Sequence, residues 1–127
     1  MPIGAIGELC LGGAGIATAG DIVLAARSAS FIQAFCKIGL VPDAGNTWHL
    51  PRLIGVARAR GLALLGDKLP AEQAEQWGLI WKCVDDAAFP AEVEAIAARL
   101  ASLPTRALVA TRQALDAAQQ LDLAAAL

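Results

Sequence analysis

Two short apolar segments, one with its core at Ile22 and Val23 and one around Phe31-Ile32, stand within one stretch, "DIVLAARSASFIQ". The first carries β-branched Ile22 and Val23, so the pair reads as two short strands joined by a small polar turn. No other feature limits the fold as much, because helical patterns follow it and a glycine-rich turn precedes it. The opening "MPIGAIGELCLGGAGIATAGD" begins like a strand, turns at the glycines and runs into a short alanine-rich helix. After "PDAG" a helical stretch is expected near residues 45–50, interrupted at Pro51. "GVARARGLALLG" places Val56, Ala59, Ala63 and Leu64 on one helical stripe, with Gly66 as a C-cap signal. "LPAEQAEQWGLI" starts at Pro70 and stops at Gly78, and "LIWKCV" reads as a further strand. Residues 90–102 form an amphipathic helix through Val93, Ile96, Ala97 and Leu100. Pro104 opens a last helix carrying Leu108, Thr111, Ala114 and Leu115. The pattern is α/β, helix-rich towards the C-terminus.

A chain of 127 residues has room for one domain. Hydrophobic residues are 57% and charged residues 17%, an excess made largely of alanine, which suits close-packed helices rather than disorder. The net charge of −2 leaves no basic footprint for nucleic acid. The apolar stretch at residues 9–20 is too short and glycine-rich to span a bilayer, and Met1-Pro2-Ile3 lacks the basic flank of a secretory signal. Cys10, Cys36 and Cys83 are widely spaced without a CxxC, so they read as small buried hydrophobes in a reducing compartment. The expected location is cytoplasmic.

Few groups carry chemistry. "GGAG" at 12–15, ahead of a helix, presents backbone N–H groups that would stabilise an anion or a developing oxyanion, or else it serves close helix packing. It is neither a dinucleotide fingerprint nor a P-loop. Asp43, between Pro42 and Ala44, fits a turn whose carboxylate caps the next helix. It also fits an acid–base group in an apolar setting made by Leu40, Val41, Ala44 and Trp48, where desolvation would strengthen it as a base. His49, the single histidine, has no partners at ligand spacing for a metal site, and no G-x-S-x-G supports a nucleophile. Trp48, Trp77 and Trp81 read as core residues or stacking surfaces. Arg52, Arg58 and Arg60 read as a solvated helix face or phosphate contacts.

Taken together, "GDIVLAARSASFIQAFCKIGLVPDAGNTWHLPRLIG" and "ARARGLALLGDKLPAEQAEQWGLIWKCVDD" resemble the second half of the enoyl-CoA hydratase/isomerase (crotonase) family. Within it the likeness is strongest to the ring-1,2-epoxyphenylacetyl-CoA isomerases of phenylacetate degradation. The resemblance implies a crotonase-type ββα spiral lacking its N-terminal part, with a core over residues 1–86 and C-terminal helices over 87–127. It implies an acyl-CoA thioester as substrate, with coenzyme A entering as part of it and no separate cofactor. It implies backbone N–H donors at Gly12 and Gly13 gripping the thioester oxygen, and Asp43 as the group that shuttles a proton. Trp48 and Phe35 would line the substrate pocket.

The two glutamates with which the family's hydratases add water would fall at Gly15 and Phe35, so an isomerase is expected. A hydratase, or an inactive fragment serving only as an interaction module, is the alternative. Asn46 stands where the family has a second glycine, and asparagine tolerates left-handed geometry. The resemblance further implies a homo-oligomer, or pairing with a missing N-terminal half, because half a spiral leaves strand edges and apolar helix faces uncovered.

Overall fold

The computed structural model describes residues 3–6, 10–11 and 14–121, with side chains from Gly15 onward. The chain advances by strand, strand, helix. Strands β1 (Ile3–Ile6) and β2 (Cys10–Leu11) lead into helix α1 (Ala14–Thr18). Strands β3 (Ile22–Ala26) and β4 (Ser30–Ile32) lead through a 3-10 turn (Ala34–Ile38) into α2 (Asn46–Ile54) and α3 (Val56–Leu65). Strand β5 (Lys68–Pro70), α4 (Ala71–Trp77) and β6 (Lys82–Val84) follow, then α5 (Phe89–Ala101) and α6 (Thr105–Ala118).

Each turn of this path lays its strands beside those of the turn before. β3 lies between β1 and β6 and is parallel to both, with Ile22 opposite Ile3 and Ala26 opposite Val84. β4 lies parallel to β2 and antiparallel to β5, so Phe31 faces Cys10 on one side and Leu69 on the other. A parallel strand with neighbours on both edges is covered on both faces and needs a continuous apolar run rather than alternation. Val23, Leu24, Ala25 and Ala26 meet that need, and all four are buried. The core gathers Phe31 and Leu69 with Leu50 and Ile54 of α2, Leu62 of α3, and Leu79 and Ile80 after α4. β1, β3, β4, β6 and the helices from α4 onward lie where the sequence places them, whereas the short strands β2 and β5 are additions that only the structure shows.

Three expectations are corrected. Pro51 does not interrupt α2, which runs on to Ile54 with the proline inside it. The missing N–H costs one hydrogen bond near the Thr47 carbonyl, but Leu50 and Ile54 are both buried in the core, and that burial carries the helix past the proline. The stripe Val56, Ala59, Ala63 and Leu64 exists, but the buried residues of α3 are Ala59 and Leu62. All four stripe residues border an open cavity, and of them only Ala59 is buried while Val56 and Leu64 are exposed. The cysteines are not uniformly buried: Cys36 is exposed on the 3-10 turn and Cys83 is half-buried. Partial burial still pushes the Cys83 thiol up, against the opposing charge of Arg27.

The turn between β3 and β4 is fastened to the chain after β6. Arg27 pairs with Glu72 of α4, and its Nε donates to Asp85 at 2.5 Å. The Ser28 amide donates to the Asp86 carboxylate at 3.0 Å. These groups are largely solvent-exposed, so each pair adds little by itself. The Ser28 amide, and after it the Ser28 hydroxyl, hold Asp86 below the ordinary carboxylate range.

Two predictions arise from this packing. Phe31→Ala is expected to cost about 3–5 kcal/mol, read from urea melts, because Phe31 is completely enclosed between β2 and β5. A carboxylate whose pKa is lowered on folding contributes stability above its unfolded value, about 4, and loses it as the pH falls through the folded value. Asp86→Asn therefore flattens the acid limb of the stability–pH curve and leaves its slope near neutral pH unchanged.

Candidate functional site

The segment from Phe35 to Asn46 is shaped by three residues with positive φ. Gly39 (φ 73°) closes the 3-10 turn, and the next amide, of Leu40, donates to the Phe35 carbonyl at 2.9 Å. Four residues on, Ala44 (φ 50°) and Gly45 (φ 77°) are left-handed in succession. The Asn46 amide donates to the Asp43 carbonyl at 2.9 Å, which closes a mirror-image turn with Asp43 at its head. Gly45 adopts this conformation without steric penalty, whereas an alanine there gives up about 1–2 kcal/mol. The left-handed residues are thus Ala44 and Gly45; Asn46, expected as the residue tolerating that geometry, is the first residue of α2.

What compensates the strain is a buried polar contact. The Asn46 carboxamide is wholly enclosed: its Nδ2 donates to the Asp43 carbonyl at 2.8 Å, and its Oδ1 accepts from Gln33 Nε2 at 3.2 Å. Gln33, at the end of β4, is 1% exposed. Its Oε1 has no hydrogen-bond partner among the described residues. The carboxamide of Asn46 lies against Gly15 of α1, where an added Cβ would come within 2.5 Å of Nδ2. Gly15, Gln33, Asp43 and Asn46, spread over four elements or turns, therefore meet at one point.

The Asp43 carboxylate takes no part in this contact, which uses only its backbone carbonyl. Its side chain is exposed and makes no hydrogen bond or ion pair among the described residues. It does not cap α2, whose N-cap is Gly45 without a side-chain bond. The surrounding apolar residues Leu40 and Val41 are exposed as well, so this chain alone does not desolvate the carboxylate.

Phe35 is half-buried in the 3-10 turn. Trp48 is 47% exposed on α2, with the Arg52 guanidinium 4.0 Å over its ring and His49 edge-on at 5.0 Å. Two cavities flank α2. One, of about 850 Å3, is bordered by the end of α1, by Trp48, His49 and Arg52, and by α6, whose Arg112 pairs with Asp21 at 2.5 Å. The other, of about 670 Å3, lies between α2 and α3 and is lined by Cys36, Val41, Pro42, Asn46 and the α3 stripe. Trp48 belongs to the first cavity, while neither Asp43 nor Phe35 lines either of them. Gly12 and Gly13 lie outside the described residues. No group of three metal-ligating side chains occurs among the described residues.

Gln33 and the role of Asn46 were not visible as site features in the sequence. The available signal was a glutamine inside the apolar run "SFIQAF", since a polar residue in such a run must find a buried partner. Ala44→Gly is expected to raise stability by about 0.5–1 kcal/mol, read as an increase in melting temperature, because it removes a left-handed alanine at a small entropic cost.

The enoyl-CoA hydratase/isomerase family model matches residues 4–127. The chain is 52% identical over 117 residues to the 1,2-epoxyphenylacetyl-CoA isomerase of Escherichia coli (strain K12), covering 87% of this chain and 45% of that protein. It is 51% identical over 105 residues to a "Probable enoyl-CoA hydratase" of Rhodobacter capsulatus, covering 83% of this chain and 41% of the relative. Among solved structures, an enoyl-CoA hydratase-type protein of Thermobifida fusca YX in complex with acetoacetyl-CoA superimposes with a TM-score of 0.90 at 33% identity. That match covers 98% of this chain and 49% of the other. The chain thus spans a little under half the length of these proteins.

Proposed function

We propose, from the fact that this chain belongs to the enoyl-CoA hydratase/isomerase family and has its crotonase-type fold, that it carries the proton-shuttling part of an acyl-CoA isomerase site. The observation that carries the reading is Asp43: a carboxylate free of every partner among the described residues, on a strained turn whose backbone is tied into the core. A free carboxylate accepts a proton from the carbon of a thioester substrate and returns it to another carbon. The electron pair left behind moves onto the thioester oxygen as an enolate and back again, so the shift of a double bond or opening of a ring epoxide involves no net oxidation. Gly12 and Gly13 are assigned as the backbone donors to that oxygen, on the family resemblance, and they lead directly into α1. Trp48 and Phe35 are assigned to the wall of the acyl pocket. Coenzyme A enters as part of the substrate.

Isomerisation is preferred to hydration for a chemical reason. Water addition in this family calls on a pair of glutamates, and the matching positions here are Gly15 and Phe35, neither of which ionises. The 52% identical relative is named as an isomerase, which agrees with this choice. Asp43 is exposed in the chain itself and so is open to a bound thioester.

The test is a thermal melt of the chain with and without an unsaturated acyl-CoA, followed by an isomerisation assay. Ligand at about 100 times its Kd adds roughly 2.7 kcal/mol to the stability of a binder. Asp43→Asn is expected to keep that shift while turnover falls at least about 100-fold. Turnover that survives Asp43→Asn removes the assignment of the base.

A second reading, that the chain works by association, is favoured by its uncovered apolar surface. Ile38, Val41, Val56, Leu64, Leu65 and Trp81 are each more than half exposed. Faces of this kind mark interaction surfaces. Light scattering of the purified chain is expected to give a mass above the 13.1 kDa monomer; a monodisperse monomer at micromolar concentration excludes self-association.

A further inference from the structure

The geometry points to Asn46 as the positioning residue of Asp43, able to act only because residue 15 is glycine; this deepens the proton-shuttle reading and rests on it. The turn that presents Asp43 is unfavourable by itself, since Ala44 must hold a φ of 50°. Two donors from one residue converge on the Asp43 carbonyl: the Asn46 backbone N–H at 2.9 Å and its side-chain Nδ2 at 2.8 Å. The same carboxamide is anchored at its other end by Gln33 Nε2 at 3.2 Å, at the end of β4. Asn46 thereby links the head of the strained turn to the sheet through one part-buried bond to Asp43 and one buried bond to Gln33, and the buried bond is stronger than it would be in water.

The space for this carboxamide exists because Gly15 has no side chain. A Cβ there would lie 2.5 Å from Nδ2, 2.8 Å from Cγ and 2.9 Å from Oδ1 of Asn46, closer than side-chain atoms approach. The Gly15 carbonyl is in turn engaged by Thr18, whose hydroxyl donates to it at 3.3 Å within α1. A side chain at 15 therefore requires the Asn46 carboxamide to leave its present position, and with it the bonds to Gln33 and Asp43. As a consequence, a carboxylate at residue 15 is accommodated only when the Asn46 carboxamide is displaced or absent.

Two measurements test this without requiring turnover. In a cycle of melts on the full chain, Gly15→Ala is expected to lower the melting temperature by about 8 °C or more in the parent, and by less than about 3 °C when Asn46→Gly is already present. If Gly15→Ala alone does not fold, recovery of a cooperative melt in the double variant carries the same meaning. Equal losses in both backgrounds, or a double variant that stays unfolded, overturn the coupling. For positioning, the 13C shifts of Ala44 report its left-handed backbone. Asn46→Leu keeps a branched side chain of similar shape but removes the donor, and it is expected to move Ala44 out of the left-handed range while the signals of Phe31 and Leu24 stay in place. Ala44 shifts that remain left-handed in both Asn46→Leu and Asn46→Gly overturn the positioning role, a function that mere filling of space would not serve. Asp43→Asn is expected to leave both readouts unchanged and alter only turnover, so failure of the base assignment is distinguishable from failure of this one.

Discussion

Enclosure of β3 on both edges and both faces is the constraint on which the remaining structure depends. It forces a continuous apolar strand, places β1 and β6 parallel on either side, and so dictates that the chain return by long crossovers instead of hairpins. α1 forms part of the first crossover, and the long stretch from β4 to α4 forms the second. The turn carrying Asp43 lies in that second crossover, at the entry to α2. Burial of Leu50 and Ile54 holds α2 on the core despite its internal proline, and the position of Asp43 follows from the position of α2.

The point at which α1, β4 and α2 meet exchanges one unfavourable term for several favourable ones. A left-handed alanine and a buried glutamine oxygen without a partner among the described residues stand against two hydrogen bonds to a carbonyl and one between enclosed amides. Strain of this kind persists where surrounding contacts over-determine the backbone, and such places are often where chemistry is done. Here the strained residue immediately follows the free carboxylate. The adjacency motivates treating the turn as a device for presentation rather than as a simple connection.

The apolar surface and the charges divide the chain into two regimes. Around β3 and β4 the ion pairs of Arg27 with Glu72 and Asp85 tie exposed turns together over a dense core. Along α3 the apolar stripe opens onto a cavity, and no residue of α5 or α6 is buried. The two helices form where their sequence pattern places them, but a pattern specifies only which face would be covered, and within this chain no residue of either is buried.

By itself the sequence determined the pair of strands around Ile22-Val23 and Phe31-Ile32, the helices bounded by Pro70 and Gly78 and by Pro104, the family resemblance, and the singling out of Asp43. These follow from local periodicity, from terminators with fixed backbone preferences, and from a motif contiguous in the chain. Only the tertiary structure decided that α2 passes through Pro51, that Ala44 rather than Asn46 bears the left-handed strain, and that Gly15, Gln33 and Asn46 occupy one polar pocket. It also showed that Asp43 is exposed rather than enclosed by its own chain. These properties depend on which faces meet across α1, β4 and α2, and on whether a neighbouring surface excludes water. Such contacts join residues 13 to 31 positions apart, beyond the reach of any local periodicity.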